Sequence, residues 1–470
     1  MPRMDRLIAP LAAAVAQIEA VAPYASAYAR RDAGTQVRVD GAGTTCQPVP
    51  PRAGLTLTAW TGSRFIEEST DQLDAPGIAE AAVRLIARVG ASGGKNPTSS
   101  KGVTLEPGER LERSFAQAML RDGRTVPASE KIALARALRE QLADPLLQDA
   151  VAMVGDVHAD IVFVNRTRQL RQELHRVRQI VLGVWAHDGQ QAQVHGGFER
   201  LGGWEHQTTD GAYLAELRRD GPRLIGAPRI PDPGEHTCVF SGEFAGIFAH
   251  EAFGHGTEQD MFLKDRAQGA HWLGKAVASP LVNMFDDPAN GWAASYFFDD
   301  EGTLAQPTAI IREGVLVAGI NDRYSHAVLG HRGLAARKTA NGRREAYDHK
   351  PYTRMTNTFF GAGTSSTAEL ITGVERGYLL THPSNGMEDP KGWGIQLEGA
   401  MAEEIRDGRL TGVVYSPVVV TGSVPRLLHS IDGVGRELVE ASIGMCGKGY
   451  KEWVKVTDGG PALRLKAVIA

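Results

Sequence analysis

The sequence predicts an α+β protein in two parts, an N-terminal domain of helices packed on an antiparallel sheet (1–228) and a C-terminal, mostly β, barrel-like domain built around one helix (229–470). Three observations predict it. Helical and strand periodicities mix through the first 200 residues. A proline-rich break follows at 226–234. Beyond it, short apolar strand patterns recur with a single long helical pattern among them.

The elements follow in order. Leu7, Leu11, Val15 and Ile18 fall on one side of a helix over residues 5–22. The short apolar run there follows Arg3 and Arg6 as in a signal peptide, but Asp5 interrupts the basic stretch, so an amphipathic helix of the folded protein is expected. Alternation at 35–39 and 55–60 marks strands. Ile78, Ala82, Leu85, Ile86 and Val89 line one side of a helix over 77–89. The Gly-, Ser-, Pro- and Lys-rich stretch 91–109 reads as a mobile loop, and a third helix is expected over 129–142. Segments 162–164, 180–182 and 193–195 look like antiparallel strands. At 226–234, three prolines in six positions can continue neither a helix nor a central strand, which places the domain boundary there. A helix over 241–255 comes next, then strands near 310–311, 316–317, 356–360, 395–397, 413–415 and 418–420, the pattern of a barrel or sandwich.

Composition narrows the function. The 470 residues include 42% hydrophobic and 23% charged, an ordinary globular profile. A formal net charge of -4 gives no reason to expect nucleic acid or an anionic membrane as partner. No apolar run reaches the roughly 20 residues that span a bilayer. Three widely spaced cysteines, Cys46, Cys238 and Cys446, argue against a disulfide framework and for a reducing, cytoplasmic setting, with a metal-bound or reactive thiol left open.

The chemistry concentrates in Phe248-Ala249-His250-Glu251-Ala252-Phe253-Gly254-His255-Gly256. Two histidines with a glutamate beside the first suit a zinc hydrolase: imidazoles hold the metal and the carboxylate takes a proton from water there. The usual spacing of such histidines is four, and here it is five. At about 100° per residue, five residues set the two rings roughly 140° apart on a regular helix. A π-bulge near Phe253 and Gly254 would restore a common face. The bare HExxxH pattern arises by chance in roughly a few per cent of chains of this length, so it needs context. The candidates for a third ligand are Cys446, His271, His326, His331, Glu258, Asp260 and Asp300. Cys446 lies between Gly444 and Gly447, where the backbone can approach a metal closely.

With these segments in view, the chain resembles the TldD/PmbA family of bacterial metallopeptidases, in its metal-bearing TldD-type form. The zinc motif carries the match, together with Phe298-Asp299-Asp300-Glu301-Gly302-Thr303, Asp322-Arg323-Tyr324-Ser325, Arg354-Met355-Thr356-Asn357-Thr358 and Gly444-Met445-Cys446-Gly447-Lys448, in the family's order. The resemblance implies Zn²⁺ held by His250, His255 and Cys446, with Glu251 as catalytic base. It implies flexible or unfolded peptide substrates, cleaved in the chamber of a homodimer or of a heterodimer with a TldE/PmbA-like subunit. Two segments depart from the family pattern, Gln396 to Met401 and the tail from Tyr450 to Lys455, and neither touches the metal residues.

Weaker signals remain. Tyr324, His326, Arg354 and Asn357 are candidates for contacts to substrate or oxyanion. Asp299-Asp300-Glu301 reads as a solvated turn rather than a second metal site. The stretch from Lys95 to Lys101 lacks the glycine spacing of a phosphate loop. Two other readings keep the zinc: an amide hydrolase or modifying enzyme for a small substrate, and a non-catalytic, zinc-stabilised partner subunit.

Overall fold

The computed structural model describes residues 4–50, 52–92, 103–332, 337–441, 444–448 and 451–470. In chain order its first half contains α1 (Ile8–Glu19), β1 (Tyr24–Asp40), β2 (Gly43–Pro48), β3 (Ala53–Trp60), β4 (Phe65–Thr70), α2 (Ala75–Ala91), β5 (Leu111–Ala116), α3 (Ala128–Gln141), β6 (Leu147–Asn165), β7 (Arg168–His187), β8 (Gln190–Leu201) and α4 (Ala212–Arg223). These strands form one sheet in the order β4-β3-β1-β6-β7-β5, with β2 on β1 and β8 on β7. The sheet is antiparallel except at one edge, where β5 runs parallel to β7. That departs from the all-antiparallel expectation: α3 and β6 lie between the two strands and supply the return crossover a parallel pair needs.

The sheet is covered on both faces. On β6, Ala152, Val154, Val162 and Val164 face the helices, while Ala159, Ile161 and Phe163 face the second half of the chain. This is the alternation of a pleated strand, with both sides apolar. At one end α1 and α2 bury Leu11, Val15, Ile18, Ile78 and Leu85. At the other, α3 and α4 bury Leu138, Leu214 and Leu217 against Val181 and Trp185. On the opposite face Tyr28, Phe163 and Leu174 pack with Tyr296 and Phe298, so the two halves share a core.

The strands exceed the short apolar segments that announced them, because polar residues interrupt the pattern. Those residues are paired rather than solvated: Arg171 binds Asp160, and Lys131 binds Asp156. Lys95 to Lys101, and most of the expected mobile loop, lie outside the described residues.

Residues 227–233 form no helix or strand. Beyond them, strands Gly234–Phe240, Arg376–Glu388, Gly394–Arg406, Val418–Ser423 and Leu463–Ile469 close into a five-stranded barrel, since Arg376–Glu388 pairs with both Gly234–Phe240 and Gly394–Arg406. Closure leaves these strands no free edge. A second sheet holds Met284–Asp286, Thr308–Arg312, Asn357–Phe360, Thr457–Gly460 and Val439–Ala441. The helix Gly242–Ala249 packs against both. Phe244, Ala245, Phe248 and Ala249 are fully buried, as the apolar stretch after Glu243 requires. Ser241 caps it, its Oγ accepting the Phe244 N–H at 3.2 Å.

The Asp299-Asp300-Glu301 turn corrects the solvated reading. Asp299 is 1% exposed and accepts the N–H groups of Glu301, Thr303 and Gly342. Glu301 accepts the Arg323 N–H. Gly302, at φ +74°, sits where a Cβ would strike the Phe163 ring. The turn is pressed onto the sheet, and backbone donors replace water at its carboxylates.

Gly246 sets the distance between the buried helix and strand Thr457–Gly460, because a Cβ there would lie 2.6 Å from the Gly459 nitrogen. Helix propensity alone would make Gly246→Ala stabilising. The packing predicts the reverse, a loss of about 1–3 kcal/mol. A thermal melt at or above the parent midpoint would contradict this contact.

Candidate metal centre

The buried helix does not continue regularly through the histidines. His250–Gly254 is a π turn, followed by a 3-10 turn at His255–Thr257. The wider turn brings His255 back toward His250 across the five-residue spacing, as the sequence predicts. Gly254 has an ordinary helical φ of -64°. It is required for space instead: a Cβ would sit 2.1 Å from the Met355 Sδ. Thr257 closes the turn by donating its hydroxyl to the Phe253 carbonyl.

The two imidazoles meet Cys446. His250 Nε2 lies 3.1 Å and His255 Nε2 3.3 Å from Cys446 Sγ. Ring centroids of the histidines are 5.0 Å apart, with planes at 87°. Cys446 comes from the strand Met445–Lys448, which pairs with Lys451–Lys455 in a hairpin. The three donor atoms all lie within 4.8 Å of one another. Their N-to-S separations are near the roughly 3.5 Å expected between neighbouring ligands of tetrahedral zinc.

Each of the three side chains is braced from outside. His250 Nδ1 donates to Asp458 Oδ1 at 2.8 Å, and His255 Nδ1 to Glu258 Oε2 at 3.2 Å. A proton held on each Nδ1 leaves the Nε2 lone pair facing the centre. Arg354 donates to Cys446 Sγ at 2.9 Å and to its carbonyl at 3.0 Å. The same guanidinium meets Glu258 at 3.3 Å. Lys448 bridges Glu258 and Asp260.

The charges agree with this donor set. Burial alone would raise the Cys446 thiol, but His255 and His250 hold it well below its ordinary range, which favours the thiolate form. Burial would lower His255, yet the Cys446 charge and Glu258 hold it up at about 10. Two cationic imidazoles around a thiolate form a cluster in which a divalent cation can replace the protons. The residues therefore fit zinc: two nitrogens and one sulfur converge, with their other polar atoms satisfied.

Glu251 follows His250 on the π turn and is 9% exposed; burial raises its pKa, against the pull of His250 and His255. Glu388 is a second carboxyl nearby. Burial pushes it up to about 9, with His255 lowering and Glu251 raising it.

The other sequence candidates lie elsewhere or act differently. Glu258 and Asp260 reach the site as partners of His255 and Lys448. Asp300 accepts the Arg344 N–H, and His271 is exposed beside Asp265. The His331 side chain lies outside the described residues. Tyr324 packs on Trp60 and Phe65. His326 is half-buried, with an Nδ1 that makes no hydrogen bond to the described residues. Asn357 bonds Ser295, Asn290 and the Ala294 N–H. Arg354 alone of the four joins the centre. A second grouping, His158, Glu173 and His175, lies on the helix side of the first sheet. There Arg171 binds Glu173 and Arg124 sits 3.4 Å from His158 Nδ1, so guanidinium groups already occupy the cation positions.

Sequence reasoning missed Asp458 and Glu388. Thr457-Asp458-Gly459-Gly460 and Asn385-Gly386-Met387-Glu388-Asp389-Pro390 both carry turn-forming residues, yet both lie wholly or largely in strands. Their glycines serve close packing, which no local signal separates from a turn.

Comparison with known proteins extends this geometry. Residues 233–469 match the model of the PmbA/TldA metallopeptidase C-terminal domain. A metalloprotease of Methanothermobacter thermautotrophicus is 30% identical over 361 residues, covering 75% of this chain and 77% of that protein. A zinc metalloprotease TldD homolog of Saccharolobus solfataricus is 30% identical over 262 residues, 54% of this chain and 55% of that one. The crystal structure of TldE from Thermococcus kodakarensis superposes with a TM-score of 0.73 over 97% of this chain and 98% of that chain, at 15% identity, a likeness of fold.

The bracing predicts that Asp458→Asn weakens metal binding about 10–100-fold by loosening the His250 tautomer and ring. Competition against a chromophoric chelator measures it. Unchanged affinity would show that Asp458 does not brace the ligand.

Proposed function

The chain belongs to the TldD/PmbA metallopeptidase family, and from that premise we propose that it is a zinc-dependent peptidase of flexible or unfolded peptides. The observation that carries the reading is the convergence of His250 Nε2, His255 Nε2 and Cys446 Sγ, with both Nδ1 atoms held by carboxylates. In this reading His250, His255 and Cys446 hold the ion, within a metallopeptidase domain spanning 229–470. A bound zinc lowers the pKa of water toward about 7 and polarises a carbonyl.

The chain's own residues do the rest. A Glu251 carboxylate oxygen takes a proton from the attacking water and delivers it to the leaving amine nitrogen. Its buried, apolar setting raises its basicity toward that task. Arg354 holds Cys446 by both its sulfur and its carbonyl, which fixes the hairpin against the helix. Asp458 and Glu258 keep both imidazoles aimed.

A cavity of about 430 Å³ lies between the first sheet and the Cys446 hairpin, lined by Tyr296, Phe298, Met445 and Trp453 and by Arg176 and Arg343. It is large enough for side chains of an extended peptide. Met445 and Trp453, 50% and 44% exposed, offer apolar contact at the hairpin. We assign the working unit as a dimer enclosing a chamber, either of two copies or with a TldE/PmbA-like subunit. No helix among the described residues is long and apolar enough to cross a membrane.

Metal analysis combined with mass-spectrometric digestion of an unfolded peptide, with and without chelator, tests the reading. Glu251→Gln is expected to keep its zinc and lose turnover by about 10²–10⁴-fold. Cys446→Ala is expected to lose most of its zinc and its activity together. Full activity in the Cys446→Ala protein would falsify the ligand assignment.

A further inference from the structure

We propose that the Glu388 carboxyl is a substrate subsite, an acceptor for one N–H donor on the peptide residue next to the scissile bond. The inference rests on the peptidase reading above. Strand Arg376–Glu388 runs across the π turn. Gly386 lies against Glu251: a Cβ there would be 2.6 Å from Glu251 Cγ and 3.1 Å from Ile247 Cγ1. Residues two apart on a strand share a face, so Glu388 faces the same turn about 7 Å further on. Its Oε1 is 3.3 Å from where a Gly256 Cβ would stand, one residue past the ligand His255.

Both Glu388 carboxyl oxygens are shut from solvent and accept no hydrogen bond from the described residues. Three other carboxylates around the centre are paired. Asp458 takes His250, Glu258 takes His255, Arg354 and Lys448, and Asp260 takes Lys448. Native structures rarely leave a buried polar group unsatisfied, and a carboxyl is among the most costly to leave so. Glu388 also stands outside the group of donor atoms, those of His250, His255 and Cys446, that lie within 4.8 Å of one another. What it lacks is a donor, and the place it faces is the catalytic turn.

An extended peptide advances about 3.4 Å per residue. With its scissile carbonyl beside Glu251, a donor one or two residues along comes within reach of a carboxyl some 7 Å away. That donor is an N–H, either the α-ammonium of a short peptide or a main-chain amide. Both share one chemistry, and the residue at 388 distinguishes them. Glutamine keeps a neutral acceptor that serves an amide N–H, but it cannot ionise to pair with an ammonium as the glutamate carboxyl can.

The test measures binding in zinc-loaded Glu251→Gln protein, where turnover is blocked. Calorimetry gives the Kd for one unfolded peptide with a free N-terminus and for its N-acetylated form. Adding Glu388→Ala is expected to weaken binding about 10–100-fold with zinc content unchanged. If the donor is the ammonium, acetylation alone reproduces the loss and Glu388→Gln does not restore binding. If it is an amide, acetylation has no effect and Glu388→Gln restores binding. The inference is overturned if Glu388→Ala binds both peptides within twofold of its parent, if the substitution costs zinc, or if the parent binds neither peptide. The peptidase reading fails separately, when wild-type protein binds the peptide but leaves it intact.

Discussion

One turn of distorted helix governs the centre. Two histidines five residues apart would point roughly 140° away from each other on a regular helix, and the π turn at His250–Gly254 removes that divergence. Such a turn is less favourable than regular helix, so it persists only where its surroundings enforce it. Here the enforcement is burial. Phe248 and Phe253 are inaccessible to solvent, Met355 fills the space beside Gly254, and the Thr257 hydroxyl takes the Phe253 carbonyl. The core around the helix stabilises the molecule and also holds the two histidines together.

Around that turn the protein builds a shell of alternating charge. Carboxylates of Asp458 and Glu258 hold the imidazoles from outside, and the cations Arg354 and Lys448 hold Glu258 in turn. Arg354 is 0% exposed, so its charge has to be matched locally. Glu258 and Cys446 supply the match, which ties the cysteine hairpin to the same network as His255. In a low-dielectric interior such a network is stiff, because moving one member strands its partners. Donor atoms drawn from a helix and a distant hairpin are thereby held at close distance.

The first half of the chain supplies a wall. Its long strands are covered by helices on one face and by Tyr296 and Phe298 on the other. The buried Asp299-Asp300-Glu301 turn reaches Arg323, Gly342 and Arg344, so the loops near the centre are positioned from the sheet side as well. The cavity beside the Cys446 hairpin exists because the two halves meet at this wall without filling it.

By itself the sequence determined what is local. The amphipathic helices, the break at 226–234, the short strands beyond it and the need for a π turn between the histidines all follow from spacing and backbone sterics, and the structure contains each of them. The pairing of Cys446 with the histidines could be suggested by resemblance but not by spacing, since about 190 residues intervene. Only the tertiary structure decided the rest. It paired Glu258 with His255, buried a turn that reads as solvated, placed Asp458 behind His250 and left Glu388 without a donor among the described residues. Those roles depend on which strand lies beside the helix and how closely. The closeness is set at Gly246, Gly386 and Gly459, residues whose missing side chains leave no periodic signal in the chain and show their purpose only when another part of the fold comes to rest against them.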